Sequence, residues 1–360
     1  GYFIDSKQFF HSYLTAFVFW VSIGLGGLFF TLVHHLVSAQ WSVVVRRFWE
    51  TAMITLPFMA IFFLPIILGM HDLYHWSHHN AVEHDHLLYH KAGFLNPSFF
   101  VARAIGYFLI WFLVGNFLYK NSIAQDKHYS PEVALKMKRY SAPGMILFGL
   151  SLTFASFDWM MSLNPHWYST MYGVYFFAGT LLAILCFTTL VANYFHQRGL
   201  LQKVITAEHY HDLGKLTFGF TVFWAYIGFS QYFLIWYANI PEETVWYAAR
   251  LEGSWKYISL LLLVAHFIIP FFALLSREPK RNPSIMKFMA IWILIMHWVD
   301  IHWLVLPSLH AEGFHFSWMD ITSLIGLGGI FISFFLNNLF KHSVVPVSDK
   351  YLTASIKFVN

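Results

Sequence analysis

The sequence predicts an all-α protein that crosses a membrane many times, and three observations support this fold class. Hydrophobic residues make up 58% of the chain and charged residues only 11%, whereas soluble domains carry about 25% charged residues. Apolar runs of about 20 residues, the length that spans a bilayer core, recur along the chain. These runs are continuously apolar and do not alternate along their length, which favours helices over a β-barrel.

We predict nine spans within a single membrane domain that covers residues 1–360. Their predicted bounds are 10–37, 50–70, 98–119, 143–161, 168–194, 214–238, 256–276, 285–306 and 317–340. The second span contains Pro57 and Pro65 and the seventh contains Pro270, so both are expected to bend where a backbone donor is lost. Because the chain begins at Gly1 without a signal peptide, we expect a tenth span before it in the complete protein.

Basic residues fall in alternate connections between the spans, which is the asymmetry that fixes topology in membranes. All but five of the 22 Lys and Arg residues lie on one predicted side, which includes the C-terminal tail. The five exceptions are Lys7, Lys91, Arg103, Arg250 and Lys256. The basic side is therefore predicted to be cytoplasmic, with residue 1 outside. The basic residues behind the formal charge of +4 lie in short connections, where membrane topology accounts for them. We therefore predict no nucleic-acid partner.

Two echoes in the sequence bear on how the spans pack. The strings IGLGGLFFTL (23–32) and IGLGGIFISF (325–334) place small residues where helices can approach closely. Asp158 is followed by Pro165 and His166, and Asp300 is followed by Pro307 and His310, so a similar pattern occurs twice at a distance of four spans. Because an even number of spans preserves orientation, we predict two parallel four-helix bundles with flanking helices. Their predicted bounds are 49–194 and 209–340.

A connection rich in histidine, residues 71–97, is predicted on the outer side. In it His75, His79 and Glu83 share one helical face and have a spacing that would suit a transition metal. The alternative is an amphipathic helix at the membrane surface that contacts a partner protein. We favour this alternative and predict no metal site, because no cysteine assists and the histidines surround the helix.

Ionisable residues inside the predicted spans are candidates for function, because a charge in hydrocarbon costs several kcal/mol unless it is paired or hydrated. With the predicted topology, most of them collect toward the outer side. The candidates for a proton path or a quinol site are Arg103, Asp158, His166, His266, His297, Asp300, His302 and Asp320. This polarised distribution would suit a site that releases protons outward.

The string MHWVDIHW contains the densest group of these candidates. His297 and Asp300 are three residues apart and share a helical face, so the carboxylate is expected to orient the imidazole. Oxidation of a quinol needs an acceptor for each hydroxyl proton, and a His or Asp can serve. The structural alternative is an ion pair of Asp300 with Arg103 or Lys256. For His266, a hydrogen bond between helices is the competing interpretation.

The chain has one cysteine, Cys186, which lies inside the fifth predicted span. A single cysteine provides no disulfide framework, no Cys-x-x-Cys-His attachment for haem and no ligand set for an iron–sulfur cluster. A b-type haem would need paired histidines at equal depth on facing helices, and the spacing does not establish such a pair. We therefore expect no covalently bound redox centre in this chain.

The segment FDWMMSLNPHWYSTMYGVYFFAG, residues 157–179, resembles a motif of the NrfD-like family, the membrane subunits of polysulfide reductase. The chain is most similar to the F subunit type of bacterial alternative complex III, a quinol:cytochrome c oxidoreductase. The stretches LYHWSHHNAVEHDHLLYHKAGFLN (73–96) and VDIHWLVLPSLH (299–310) are similar to the same subunit type.

This resemblance implies two four-helix bundles in a multi-pass subunit of the bacterial inner membrane. It implies an iron–sulfur subunit and c-type cytochromes docked on the outer surface, and an NrfD-like sister subunit with the better-supported quinol site. Menaquinone or ubiquinone would be the substrate, and the haem c and iron–sulfur clusters would belong to the partners. By this resemblance, the polar residues that would line the interior of the subunit are Asp158, His166, Asp300 and His302.

Three functions remain open at this point. The first is a subunit of a quinol-oxidising complex, with a scaffold and proton-conducting role or with quinol bound directly. The second is a secondary transporter or a proton or ion channel, because helices broken by proline and buried acids also bind substrates. The third is a haem-bearing oxidase core, which the number of histidines would allow.

Overall fold

The computed structural model describes residues 1–357 and confirms that the chain is an all-α membrane protein. The structure is 79% helical, and residues 1–357 contain no strand. Eight helices are long and apolar enough to cross a membrane, and one bent pair of helices would make a ninth span. These elements correspond in order to the nine predicted spans.

The helices are numbered in chain order. The first nine are α1 (Ser6–Val37), α2 (Val43–Met53), α3 (Leu56–Met59), α4 (Leu64–Leu68), α5 (Met70–Leu73), α6 (His79–His84), α7 (His86–Lys91), α8 (Pro97–Gln125) and α9 (Pro131–Trp159). The next nine are α10 (Tyr172–Gln197), α11 (Ala207–Ala238), α12 (Pro241–Leu251), α13 (Trp255–Leu261), α14 (Ile269–Ala273), α15 (Arg277–Arg281), α16 (Pro283–Val305), α17 (Trp318–Phe340) and α18 (Leu352–Ile356).

Local sequence determines where several spanning helices begin. The Asp5 side chain accepts a hydrogen bond from a backbone N–H in the first turn of α1. Ser130 and Asn282 cap α9 and α16 in the same way, and a proline follows each of them at the first helical position. Proline fits there because the first N–H groups of a helix have no partner within it.

The second predicted span is broken, as its prolines indicate. The segment that ends with α3 and the segment that contains α4 meet at an angle of 50°. Pro57 and Pro65 lie in the first turns of α3 and α4. The break leaves the carbonyl of Phe62 free, and the Tyr13 hydroxyl donates a hydrogen bond to it at 2.7 Å. The bend is therefore stabilised by α1.

The seventh predicted span contains a π-helix, Leu262–Ile268, between α13 and α14. Pro270 follows directly and cannot donate a backbone hydrogen bond, which accounts for an irregularity in the turn before it. The Trp292 indole N–H donates to the carbonyl of Ala265 at 2.7 Å and satisfies one of the backbone groups of the π-helix. The distortion expected near Pro270 is thus a change from α-helix to π-helix, which Trp292 of α16 stabilises.

The two most enclosed helices are α1 and α10. Both pack against α2, α9 and α16, and α1 also contacts α10 and α17. A Cβ atom on Gly27 would lie 2.6 Å from the Trp49 carbonyl oxygen of α2, so the small residues of the first string permit close packing. The ninth span, α17, packs mainly against α1 and α2. The division into bundles at 49–194 and 209–340 stays a prediction.

We call the end of the bundle where α1 begins the His-rich face, because the segment 71–97 lies there beside α1. The other end is the opposite face.

Two arginines are buried at the opposite face. Arg46 and Arg47 were expected in a connection between spans, but they lie in α2 and are only 4% and 1% exposed. The fully buried Glu50 carboxylate is 3.1 Å from Arg46 Nε and 2.8 Å from Arg47 Nη1. Asp349 and Asp126 each contact one arginine at 2.7 Å. These carboxylates permit the burial of both guanidinium groups.

We expect the variant Glu50→Gln to be destabilised by about 3–5 kcal/mol, because two buried guanidinium groups would lose the carboxylate between them. Thermal unfolding of the purified protein in detergent measures this effect. The matched control is Glu132→Gln, since Glu132 is exposed in the first turn of α9. Equal unfolding temperatures for the two variants would contradict the role assigned to Glu50.

Candidate functional site

The candidate residues fall into four groups in the structure. Arg103 pairs with Asp158, and His166 pairs with a residue of the histidine-rich segment. His266, His297 and Asp300 belong to one group, and His302 belongs to another with Asp320. Arg103, Asp158, Asp300, His302 and Asp320 lie in the parts of their helices nearest the His-rich face, and His166 lies in the loop after α9.

Asp158 and Arg103 form a buried ion pair between α8 and α9. Arg103 donates from Nε and Nη2 to the two carboxylate oxygens, at 2.8 Å each. The Tyr107 hydroxyl donates to the same carboxylate at 2.6 Å. The guanidinium also lies over the rings of Phe94 and Phe99. Arg103 is therefore engaged by Asp158, and the alternative ion pair of Arg103 with Asp300 is wrong.

Asp300 is buried in a different environment, between α10, α11 and α16. The Tyr175 hydroxyl donates to one carboxyl oxygen at 2.5 Å and the Trp224 indole N–H donates to the other at 3.1 Å. Asp300 is 2% exposed. Among residues 1–357 no Lys or Arg forms an ion pair with it, so the alternative pair with Lys256 is also wrong. Both partners of this buried carboxyl group are neutral.

His297 does not contact Asp300 by a hydrogen bond, contrary to the expectation from their spacing. Its Nε2 is hydrogen-bonded to the Ser22 hydroxyl of α1 at 3.0 Å, and its Nδ1 has no partner. A Cβ atom on Gly179 would lie 2.8 Å from the imidazole, so only glycine leaves room for the ring in this position. The neighbouring helices therefore turn His297 toward α1, while Asp300 faces α10 and α11.

His266 lies in the π-helix and is fully buried. Its ring packs on Trp224, with the two ring centroids 4.1 Å apart. Neither of its ring nitrogens has a hydrogen-bond partner, which differs from the expected hydrogen bond between helices. Because Trp224 also donates to Asp300, this indole connects His266 with the carboxyl group. We call Ser22, Tyr175, Trp224, His266, His297 and Asp300 the central cluster.

A second polar group lies closer to the His-rich face, between α1 and α17. The Ser12 hydroxyl donates to the Asp320 carboxylate at 2.5 Å, and the Gln8 amide donates to it at 3.4 Å. The Gln8 carbonyl is hydrogen-bonded to His310 Nε2 at 2.6 Å. The exposed ring of His315 lies 4.9 Å from that of His310, measured between centroids. This group connects a buried carboxylate to the surface.

His302 lies beside this group on α16 and is 2% exposed. The rings of Trp255, Trp298 and Phe314 surround it at 5.6–6.3 Å between centroids. Neither of its ring nitrogens has a partner, and Asp320 is close enough to interact with it electrostatically. We call Gln8, Ser12, His302, His310, His315 and Asp320 the outer cluster.

The two clusters share the helix α16. Asp300 and His302 are separated by a rise of about 3 Å along the axis, but two residues turn the helix by about 200°, so their side chains leave different faces. Within residues 1–357 no side-chain hydrogen bond joins the clusters. The unpartnered ring nitrogens of His297 and His302 lie on either side of this separation.

His166 contacts the histidine-rich segment at the surface. Its Nε2 lies 2.5 Å from the Asp85 carboxylate, which also accepts backbone hydrogen bonds at the start of α7. The hydrogen bond from His166 lowers the pKa of Asp85. Lys91 donates to the carbonyl of Pro165 at 2.5 Å, and burial lowers its pKa. Both contacts attach the segment 71–97 to the loop after α9.

The proposed ligand set His75, His79 and Glu83 does not converge. His79 Nδ1 lies 3.1 Å from Glu83, but both side chains are largely exposed. The ring of His75 neighbours His78, with 6.5 Å between centroids. Within residues 1–357 no group of three or more His, Cys, Asp or Glu residues is placed to hold a metal ion.

Sequence reasoning missed the partners that define the central cluster. Tyr175, Trp224 and Ser22 lie in apolar spans, where hydroxyl and indole side chains are common, so the sequence does not mark them as partners of Asp300 or His297. Tyr175 and Gly179 do lie in the segment 157–179 that resembles the NrfD-like motif. One feature of the sequence indicates a distortion around His266, namely Pro270, which follows the π-helix.

A scan against protein-family models finds no match for this chain, and a search of curated proteins finds no similar sequence. The resemblance to the NrfD-like family therefore stays a prediction.

We expect Asp158→Asn to be more destabilising than Asp300→Asn. The first change leaves the Arg103 guanidinium without its carboxylate, and breaking a buried pair costs about 3–5 kcal/mol. The second leaves no cation unpaired, and an amide can still contact a hydroxyl and an indole N–H. Thermal unfolding in detergent compares the two variants. If Asp300→Asn unfolded at the lower temperature, the assignment of neutral partners to Asp300 would be wrong.

We expect the segment 71–97 to loosen in acid. Because the pKa of Asp85 is lowered in the folded protein, its contribution is complete above about 3.8, the ordinary pKa of aspartate, and is lost as the pH falls further. Pepsin cleavage within 79–92 at pH 4.5 and pH 2.5 measures this loss. In Asp85→Asn, cleavage should be fast at both pH values, which controls for the pH dependence of pepsin. Equal protection of wild type and variant at pH 4.5 would contradict the prediction.

Proposed function

We propose that this chain is a proton-conducting membrane subunit of a quinol-oxidising respiratory complex in the bacterial inner membrane. The observation that carries the proposal is the environment of Asp300, a buried carboxyl group held by two neutral donors beside two histidines with unpartnered nitrogens. An uncompensated carboxylate is costly in such a site. Asp300 is therefore suited to take up and release a proton.

The contrast with Asp158 supports this role. Arg103 donates two hydrogen bonds to Asp158 and compensates its charge, so Asp158 is suited to join α8 and α9 permanently. The two aspartates lie at similar positions in their spans. Of the two, Asp158 has a cationic partner among residues 1–357 and Asp300 has none. In this proposal, the buried aspartate at residue 158 joins two helices, whereas the buried aspartate at residue 300 exchanges protons.

The outer cluster provides the route to water. From the central cluster a proton would pass to His302 and then to Asp320, across the separation on α16. Ser12 and Gln8 connect Asp320 to His310, and the exposed His315 follows. Oxidation of one quinol to a quinone releases two electrons and two protons, so the electrons would go to metal centres of partner subunits while this route carries protons.

The segment 157–179 also supports the proposal, because its Tyr175 contacts the central cluster and its other polar residues make contacts near the His-rich face. Asp158 binds Arg103, His166 binds Asp85 and Tyr175 donates to Asp300. The resemblance of this segment to the NrfD-like motif extends the proposal to partners, namely a sister subunit that binds quinol, an iron–sulfur subunit and c-type cytochromes. The proposed orientation has the His-rich face outside and the C-terminus in the cytoplasm.

Direct quinol binding in this chain is the second mechanism within the same function. A groove of about 300 Å³ at the His-rich face is lined by apolar and aromatic side chains and by Lys91. It includes Pro165 and Trp167, the two neighbours of His166 in the sequence. A quinol there would have the pair of His166 and Asp85 close by as a proton acceptor.

A transporter is less well supported by the geometry. Transporters that use broken helices expose free carbonyl groups to a substrate cavity. Here the carbonyl of Phe62 at the break accepts a hydrogen bond from Tyr13, and Trp292 donates to the π-helix. These backbone groups are occupied by the protein itself.

The test begins with purification of the tagged chain from its native membranes. We expect c-type haem absorption and iron–sulfur clusters to co-purify, together with quinol:acceptor activity. In that complex, Asp300→Asn should lower turnover by about a hundredfold or more, in the range that a positioned proton-transfer group contributes. Glu242→Gln is the control, since Glu242 is exposed on α12.

The affinity of a quinol analogue separates the two mechanisms. With reduced turnover in Asp300→Asn, an unchanged analogue affinity in Tyr168→Ala indicates proton conduction alone, whereas a weakened affinity in Tyr168→Ala indicates quinol bound in the groove that Tyr168 lines. Wild-type turnover in Asp300→Asn would exclude the proton role. Purification without any haem or iron–sulfur partner would exclude the whole proposed function.

A further inference from the structure

A cavity of about 290 Å³ lies at the opposite face, far from both clusters. It is formed where α1 ends and α9 begins, and the C-terminal residues 349–351 close one side. Polar side chains from these three parts and from α2 line it, and they include His34, His35, Arg46, Lys138, Asp349 and Lys350. The cavity therefore lies at a membrane-water boundary and joins elements that are distant in sequence.

The lining of this cavity is predominantly cationic. Arg46, Lys138 and Lys350 contribute three positive charges, and Asp349 contributes the one carboxylate among the described lining residues. Arg46 donates to Asp349 at 2.7 Å and also contacts the buried Glu50. The two lysines are exposed and form no ion pair with a carboxylate among residues 1–357. Lys138 donates to the Ser38 hydroxyl at 3.5 Å and the Lys350 ammonium lies 4.5 Å from the centroid of the Tyr351 ring, so neutral groups contact both lysines and no carboxylate compensates their charges.

Two further features favour an anion in the cavity. His35 is 7% exposed, and its Nε2 has no hydrogen-bond partner although the ring lines the cavity. The first turn of α9 contributes Pro131, Ala134 and Leu135 to the wall. The amino end of this 29-residue helix carries a partial positive charge that stabilises anions.

The wall is apolar on the side of α9. Ala134, Leu135 and Met137 line it, and Leu135 is 46% exposed on the outer surface of the bundle. A soluble anion would gain nothing from this surface, whereas a lipid could place its first acyl carbons there. Clusters of basic residues next to membrane spans bind the head groups of anionic lipids.

We propose that this cavity binds the phosphate group of an anionic phospholipid. Lys138 and Lys350 hold the phosphate at the rim, His35 contacts it from inside, and the acyl chains leave over Ala134 and Leu135. The lipid would join the end of α1, the start of α9 and the C-terminal residues. This inference goes beyond the proposed function and does not depend on it.

Native mass spectrometry of the purified, delipidated full-length protein in detergent tests the proposal. Phosphatidylglycerol, phosphatidylcholine and inorganic phosphate are titrated separately. We expect phosphatidylglycerol to bind most tightly. The double variant Lys138→Gln with Lys350→Gln should weaken its binding by about tenfold or more. The matched control is Lys120→Gln with Lys341→Gln, which removes two exposed lysines outside the cavity.

A second variant, Ala134→Phe, fills the cavity without changing its charge and should also reduce the binding of phosphatidylglycerol. Unchanged thermal unfolding of both variants shows that they remain folded. Equal binding of phosphatidylcholine, or wild-type affinity in the lysine variant, would overturn the proposal. Binding of inorganic phosphate as tight as that of phosphatidylglycerol would overturn the assignment to a lipid.

Discussion

The compensation of buried charge is the constraint on which the rest of this structure depends. An apolar helical bundle cannot hold an isolated carboxylate or guanidinium group without a cost of several kcal/mol. Arg103 compensates Asp158, and the two arginines of α2 surround Glu50. Asp300 and Asp320 differ from these, because among residues 1–357 only neutral groups donate hydrogen bonds to their carboxyl oxygens. The described part of the bundle thus contains ion pairs that fix helices and buried carboxyl groups that no cation compensates.

The positions of α1 and α10 explain how the central cluster is assembled. Both helices are enclosed by their neighbours and both carry glycines at close contacts. Gly27 lets α1 approach α2, and Gly179 leaves room for the His297 ring against α10. Because α1 and α10 both contact α16, they bring Ser22 and Tyr175 to the residues of the MHWVDIHW string. Packing of small residues therefore determines which polar groups meet.

The two ends of the bundle differ in chemistry. The His-rich face combines imidazoles, carboxylates and hydroxyls that can exchange protons, and the outer cluster connects them to the surface. The opposite face combines arginines, lysines and carboxylates, several of which form ion pairs. The proposed proton exchange and the proposed lipid binding need different groups, and the two sets of groups lie at opposite ends of the bundle. The central cluster lies between them, nearer the His-rich face.

The sequence by itself determined the fold class, the number and order of the spans and the bend in the second one. Each of these depends on local quantities, namely the length of an apolar run and the missing N–H of proline. It also identified Asp158, Asp300 and the histidines as candidates, because ionisable residues are rare in hydrocarbon. Only the tertiary structure decided which of them are paired. Arg103 lies in the third span, the sequence could not distinguish Asp158 from Asp300 as its partner, and helix packing places it beside Asp158. The neutral partners of Asp300 come from α10 and α11, so no spacing within α16 could indicate them.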